Sequence, residues 1–303
     1  MKKKKSQPHE LQPRISKDLA ATSLEAPQVK NYTRVLHTVN PGDLIAAMGS
    51  LKKFYELTGR ETIVAQSIST LAAYYQGAVH PTVNEKGENV CCNQPMFDML
   101  KPLIESQEYI HSFEVYSGQR CDLDFSVIRG KTFVNLPQGA IQGWIPLAFP
   151  DLSFDLSKSW ISLNGSCPPQ IKKQVSGKII LNFTERYRNS AMDYFFLQNY
   201  ATDLIFAGTE KECFLFCSRW GLNIPHLQVK DFLELAYAIK EARFLLSNQS
   251  MNYNIAEAMK TPRILEICSY AQNCIHMIGE DSYGYLHQVG LEYYFRKLYS
   301  QTV

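Results

Sequence analysis

The chain has 303 residues, enough for two modest α/β domains or one large one. Its 45% hydrophobic and 20% charged residues are ordinary for a globular protein, and no apolar run is long enough to span a bilayer. A formal charge of +2 is too small to argue for nucleic acid, and no nucleic-acid partner is expected.

The opening MKKKKSQPHELQPRISKD is polar and basic, without periodicity to about residue 31. No apolar run follows the lysines, so it does not read as a secretory signal. Residues 1–31 are expected to form a basic flexible arm. The functional alternative is contact with an anionic membrane surface or polyanion, where a basic run gains about 1 kcal/mol per charge. A cytoplasmic protein, with that peripheral contact as an option, is the corresponding expectation.

From Thr33 the pattern turns regular. Residues 33–39 read as a buried strand ending in Asn40-Pro41-Gly42-Asp43. Residues 43–57 then place Leu44, Ala47, Met48, Leu51 and Tyr55 on one helical face, and Gly59 is a stop signal. Asp43 therefore stands between a strand tip and a helix, as a helix cap or as a base facing a cleft. ETIVAQ (61–66) is a second strand, a helix follows over 94–106, and IHSFEVY (110–116) and DLDFSVI (122–128) read as strands. Residues 67–93 and 130–165 give no pattern that can be ordered.

The second half is clearer. KIILNF (178–183), DLIFAG (203–208), IPHLQV (224–229), RFLLS (243–247) and RILEI (263–267) are short apolar runs separated, for the most part, by helical patterns. In residues 231–240, Asp231 is the expected N-cap and Glu234 takes the third helical position. Such repetition predicts right-handed βαβ units and a parallel sheet covered on both faces.

Ligands bind at the carboxyl ends of the strands of such a sheet. The loops there carry TERYRN, with Arg186 and Arg188; GTEKE, with Thr209 and Glu210; Lys230-Asp231; and SNQSMN, Ser247 through Asn252. Two arginines, several helix N-termini and a Ser/Asn/Gln-rich turn suit a phosphate or diphosphate. Taken singly, these residues also read as surface charges and helix caps.

Eight cysteines, at 91, 92, 121, 167, 213, 217, 268 and 274, include no C-x-x-C, and they read as free thiols in a reducing compartment with no metal site. There is no G-x-G-x-x-G after a strand, no G-x-x-x-x-G-K-[ST] and no G-x-S-x-G, which argues against a dehydrogenase, a P-loop hydrolase and a serine hydrolase.

NPGDLIAAMGSLKKFYELTG resembles the opening of the heptosyltransferase-like glycosyltransferases, family 9, in which Gly-Asp after the first strand leads into a helix ending near a glycine. RFLLSNQSMNYNIAEAMKTPRILEI resembles that family's sugar-nucleotide segment, and FAGTEKECFLFCSRWGL and VKDFLELAYAI fit the units between. The resemblance covers residues 33–66 and 178–268 and identifies the chain as a divergent member.

The resemblance implies an α/β, GT-B-like architecture: two Rossmann-like domains with parallel sheets facing across a cleft. An N-terminal acceptor-side domain would cover 32–165 and a nucleotide-sugar-binding domain 166–285. Residues 286–303 would form a helix returning to the first domain. It implies an inverting, metal-independent transfer from a nucleotide diphosphate-sugar to a glycan or lipid-linked acceptor in cell-surface glycan biosynthesis, with no cofactor. Asp43 matches the family's proposed base, with Asn40 and Gly42 lining the cleft. The donor would be held by Arg186, Arg188, Thr209, Glu210, Lys230, Ser247, Asn248, Gln249, Ser250, Asn252 and Asn254.

One departure stands out. Where heptosyltransferases carry D-x-G-x-x-H, this chain has Gln249, Met251 and Asn254. A donor other than the heptose nucleotide is therefore expected. The alternative is a catalytically inactive GT-B-like protein that binds a sugar or a partner, and a sugar-nucleotide epimerase of similar shape is a third reading.

Overall fold

The computed structural model describes residues 32–72, 82–129, 141–269 and 275–301; the basic arm and Cys274 lie outside these. Strand β1 (Tyr32–His37) alternates half-buried and buried positions, and β2 (Glu61–Gln66) is buried almost throughout, as a central parallel strand should be. Between them runs α1 (Pro41–Thr58), which begins two residues before the sequence pattern suggested. Pro41 explains the early start, because its missing N–H costs nothing at the first helical position. Gly59 ends the helix in a left-handed conformation (φ 65°), returning its N–H to the Tyr55 carbonyl at 2.8 Å.

Helix α2 (Gln94–Glu105) and β3 (Ile110–Val115) follow as expected. The strand expected over 122–128 shrinks to β4 (Leu123–Asp124), and the chain then winds into a 3-10 turn over Phe125–Arg129. Asp124 accepts the Ser126 N–H at 2.8 Å, the local side-chain bond that diverts a strand into a turn. The four strands pair in parallel in the order β3-β2-β1-β4.

Short helices α3 (Trp144–Ala148) and α4 (Pro169–Val175) lead to the second sheet. It contains β5 (Ile179–Asn182) and β6 (Leu204–Phe206), followed by helices α5 (Glu210–Trp220) and α6 (Phe232–Glu241). Then come β7 (Leu245–Asn248), α7 (Met251–Met259), β8 (Arg263–Glu266), β9 (Ser282–Tyr285) and α8 (Gln288–Gln301). All five strands are parallel, in the order β6-β5-β7-β8-β9. Asp231 caps α6 as predicted, accepting the Glu234 N–H at 2.9 Å.

Two sequence expectations fail here. IPHLQV is no strand: it touches the edge strand β6 only through a bridge between Phe206 and His226, and Pro225 brings no N–H to a ladder. The terminal segment does not turn to the first sheet; Leu291, Phe295 and Leu298 of α8 pack in the apolar cluster of the second, with the Phe295 ring 5.4 Å from Phe244. The aromatic run of the segment finds its partners in Phe196, Tyr200 and Phe244.

From Tyr32 on, the described residues make one compact unit. One apolar core runs through both halves, from Val35, Leu44 and Leu100 to Leu235, Ile239 and Ile255. Trp160, between the sheets in sequence, ties them: its indole donates to the Ile45 carbonyl of α1 at 2.8 Å and its backbone N–H to the Ala258 carbonyl of α7 at 2.9 Å.

Candidate active-site cleft

The strand order places the site. In the second sheet, the chain moves outward from β5 to β6 on one side and to β7, β8 and β9 on the other. Loops leaving β5 and β7 therefore diverge and open a crevice at the carboxyl ends of these strands. In the first sheet the same reversal falls between β1 and β4, at the tip from which Asn40 enters α1. Both crevices face one cavity, lined by Asn40 to Asp43, Met96, Ile141, Arg186, Tyr187, Gln249 to Met251, Tyr253, Asn254 and His276.

The first wall is the N-terminus of α1. Asp43 is its third residue and is nearly buried. Its Oδ2 accepts from the Asn40 backbone N–H at 3.3 Å and from Asn40 Nδ2 at 3.5 Å. Asp43 is thus a capping carboxylate, stabilising the helix start by about 0.3–1 kcal/mol, and it also lines the cavity. Gly42 is where the opposite wall comes closest: a Cβ there would lie 2.7 Å from Asn254 Nδ2. An alanine there would require the Asn254 carboxamide to shift.

That opposite wall is the N-terminus of α7, capped by Ser250, whose hydroxyl accepts the Tyr253 N–H at 3.3 Å. Ser250 in turn donates to Asn182 Oδ1 at 2.6 Å, as Ser247 does at 3.1 Å, so the end of β5 fixes the turn after β7. Asn254 is nearly buried, and its Oδ1 has no hydrogen-bond partner among the described residues. Gln249 lines the cavity while its Oε1 accepts the Cys268 N–H at 2.7 Å.

The third wall is the loop after β5, pinned on both sides. The fully buried Asn248 accepts the Thr184 N–H at 3.1 Å and donates to the Arg186 carbonyl at 2.6 Å. Beyond, the fully buried Glu266 accepts Arg188 Nε at 3.0 Å, Arg188 Nη2 at 3.4 Å, the Asn189 N–H at 2.7 Å and the Tyr194 hydroxyl. Between the two anchors stand Arg186 and Tyr187. Nε and Nη1 of Arg186 are buried and have no acceptor among the described residues. Tyr187 holds a left-handed backbone, φ 53°.

The predicted residues therefore separate. Asn40, Gly42, Asp43, Arg186, Gln249, Ser250 and Asn254 are brought together at the cavity; Arg188, Thr209, Glu210, Lys230, Ser247, Asn248 and Asn252 do not line it. Arg188 lies against the rings of Phe183 (4.9 Å) and Phe216 (5.7 Å). Burial works most strongly against its charge, but the Glu266 carboxylate together with Tyr194 and Tyr285 outweighs that and raises its pKa above the usual arginine value. Thr209 is spent on the α5 start, where its N–H and hydroxyl both meet Glu212 at 2.9 Å. Glu210 is exposed beside it, and Lys230 pairs with Glu234 at 3.5 Å. These three follow β6 or the segment beside it, at the sheet's edge and away from the β5/β7 crevice. Ser247 and Asn248 hold loops, and Asn252 is buried in α7.

Sequence reasoning missed Met96, Ile141, Tyr187, Tyr253 and His276. Tyr187 and Tyr253 each sat between two residues already chosen; Met96, Ile141 and His276 come from segments that only the tertiary structure brings near. Among the described residues no cluster of His, Cys, Asp or Glu could hold a metal ion, and no helix is long and apolar enough to cross a membrane.

Two parallel sheets facing one cleft define a GT-B-like fold, the fold of the family 9 glycosyltransferases. Three solved structures carry the comparison. A family 9 glycosyl transferase from Veillonella parvula matches with a TM-score of 0.53 at 11% identity, covering 90% of each chain. The E. coli heptosyltransferase WaaC, solved with ADP-2-deoxy-2-fluoro heptose, matches with a TM-score of 0.54 at 9% identity, over 88% of this chain and 99% of its own. E. coli ADP-heptose lps heptosyltransferase II gives 0.53 at 12% identity, over 88% and 98%. At these identities the likeness carries the fold. No protein-family model and no curated protein matched the sequence.

Proposed function

We propose that the chain is an inverting, metal-independent glycosyltransferase that moves a sugar from a nucleotide diphosphate-sugar to a hydroxyl of a glycan or lipid-linked acceptor. One observation carries the reading: Asp43 and Arg186, from the crevices of two different sheets, line a single cavity. Asp43 takes the proton of the acceptor hydroxyl as its oxygen attacks the anomeric carbon. The bond from that carbon to the diphosphate breaks on the opposite face, and the leaving group carries the charge away. Arg186 offers Nε and Nη1, which have no acceptor among the described residues, and the α7 N-terminus adds its dipole to them. These donors do the work for which other transferases employ a metal, so no cofactor is needed. Gln249 and Asn254 present carboxamides where heptosyltransferases have a carboxylate and a histidine, which favours a donor other than ADP-heptose. Donors of this class are cytoplasmic, and the basic N-terminal arm suits a lipid-linked acceptor at an anionic membrane surface.

The test is Asp43→Asn, assayed against a panel of nucleotide sugars by nucleotide release. Turnover should fall by about 10²–10⁴-fold with nucleoside diphosphate affinity unchanged. Full turnover in the variant removes Asp43 as the base. A second reading, a sugar- or partner-binding protein without catalysis, draws on Gln249, whose Oε1 supports the Cys268 N–H. Donors that bind without any turnover would favour it.

A further inference from the structure

We propose that Tyr187 is the stacking platform for the base of the nucleotide, a role that rests on the cavity taking a nucleoside diphosphate. In an extended chain, neighbouring side chains point to opposite sides. Arg186 and Tyr187 are neighbours, yet both line the cavity, and the Arg186 guanidinium lies 5.7 Å from the Tyr187 ring centroid. The left-handed backbone at Tyr187 makes this possible by turning the chain within one residue. That conformation is sterically costly for a residue with a Cβ, and costlier for a bulky one. Glycine or asparagine would make the same turn without an aromatic ring.

The surroundings hold the strained turn in place. Asn248 grips the chain before it, through the Thr184 N–H and the Arg186 carbonyl, and Glu266 grips it after, through Arg188 and the Asn189 N–H. Both grips are fully buried. A conformation so over-determined at a cavity wall is the form that stored strain takes at a binding site. The ring beside a guanidinium whose Nε and Nη1 have no acceptor among the described residues matches a nucleoside diphosphate, with the base on the ring and the diphosphate on Arg186. Stacking on a ring face tolerates every base, so Tyr187 supplies affinity without choosing among bases.

The experiment measures binding of ADP, UDP, GDP and inorganic pyrophosphate to the full chain by calorimetry, in wild type, Tyr187→Phe and Tyr187→Gly. Tyr187→Phe should bind all four like wild type. Tyr187→Gly should lose about tenfold or more for the three nucleotides and leave pyrophosphate unchanged. Glycine relieves the strain of the turn but gives up the contacts of the ring, the Arg186 guanidinium among them, so the melting temperature of the unliganded variant is measured beside binding, and unchanged pyrophosphate binding shows that the site is still folded. Equal loss for pyrophosphate and nucleotides would mean the side chain only shapes the loop, and unchanged nucleotide binding, or a Tyr187→Phe variant as weak as Tyr187→Gly, would equally overturn the platform. Wild type that binds pyrophosphate as tightly as nucleotides sinks the platform alone. Wild type that binds none of the four sinks the proposed function with it.

Discussion

Arg186 and Arg188 stand two residues apart, yet the structure gives them opposite kinds of importance, and replacing each by methionine separates them. Arg188→Met leaves the Glu266 carboxylate, fully buried, without its cation. Removing one partner of a buried pair costs about 3–5 kcal/mol. Glu266 keeps the Asn189 N–H and the Tyr194 hydroxyl, which argues for the lower end, about 3 kcal/mol. In a body of this size each kcal/mol moves the melting temperature by about 2–4 °C, so a fall of about 6–12 °C is expected. Arg186→Met breaks no bond from Nε or Nη1 to a described residue, and its expected change lies within about 0.5 kcal/mol, or about 2 °C. The assay is thermal unfolding of the ligand-free chain followed by circular dichroism. Adding Glu266→Gln to Arg188→Met should restore part of the loss, since the orphaned charge is then gone. A fall in Arg186→Met equal to that in Arg188→Met, or no fall in either, would refute the division between an anchoring and a ligand-facing arginine.

Gly42→Ala should cost about 1 kcal/mol by urea unfolding, because the new Cβ meets Asn254 Nδ2; in an Asn254→Ala background the same change should stabilise by about 0.5–1 kcal/mol, since alanine is the better helix residue. A cost unchanged in that background would show that the clash is elsewhere. Burial raises the phenol pKa values of Tyr109, Tyr194 and Tyr285 well above the usual value. The unfolded chain ionises these groups near pH 10, so their contribution is complete below about pH 10 and is lost progressively above it. Melting temperature followed against pH, alongside tyrosinate absorbance, should show these phenols ionising only as the fold is lost; full tyrosine titration with the fold intact would contradict their burial.

Much of this architecture was legible because buried parallel strands write themselves as short apolar runs, and β1, β2, β3, β5, β6, β7 and β8 fall where those runs are. β9 was not, since SYGY carries no such signal and its place is set by pairing with β8. The loops of the second sheet were readable as a set, but their membership of the site was not. That depends on strand order: β6 lies at the edge, so Thr209, Glu210 and Lys230 fall outside the crevice that β5 and β7 open. The arginines show the same limit more sharply. Nothing in RYRN distinguishes Arg186 from Arg188; the choice is made by Glu266, far along the chain, which takes one of them. Asn248 is similar, a polar residue in a ligand-like turn whose carboxamide serves the neighbouring loop.

Asp43 brings the two readings of its position into one. A base is useful only if its carboxylate is held at a fixed angle to the reacting hydroxyl, and bases are generally oriented by a further group. The cap does this: bonds from Asn40 fix the rotamer that faces the cavity, so the local helix signal and the proposed chemistry use the same geometry. The opposite wall follows the same logic, since the caps and buried anchors around β5 and β7 hold the loop that places Arg186 at the cavity. With Trp160 and the shared core tying α1 to α7, neither wall has to form when a ligand arrives. A charge-developing reaction gains most from donors already in place, because no reorganisation is then needed at the transition state.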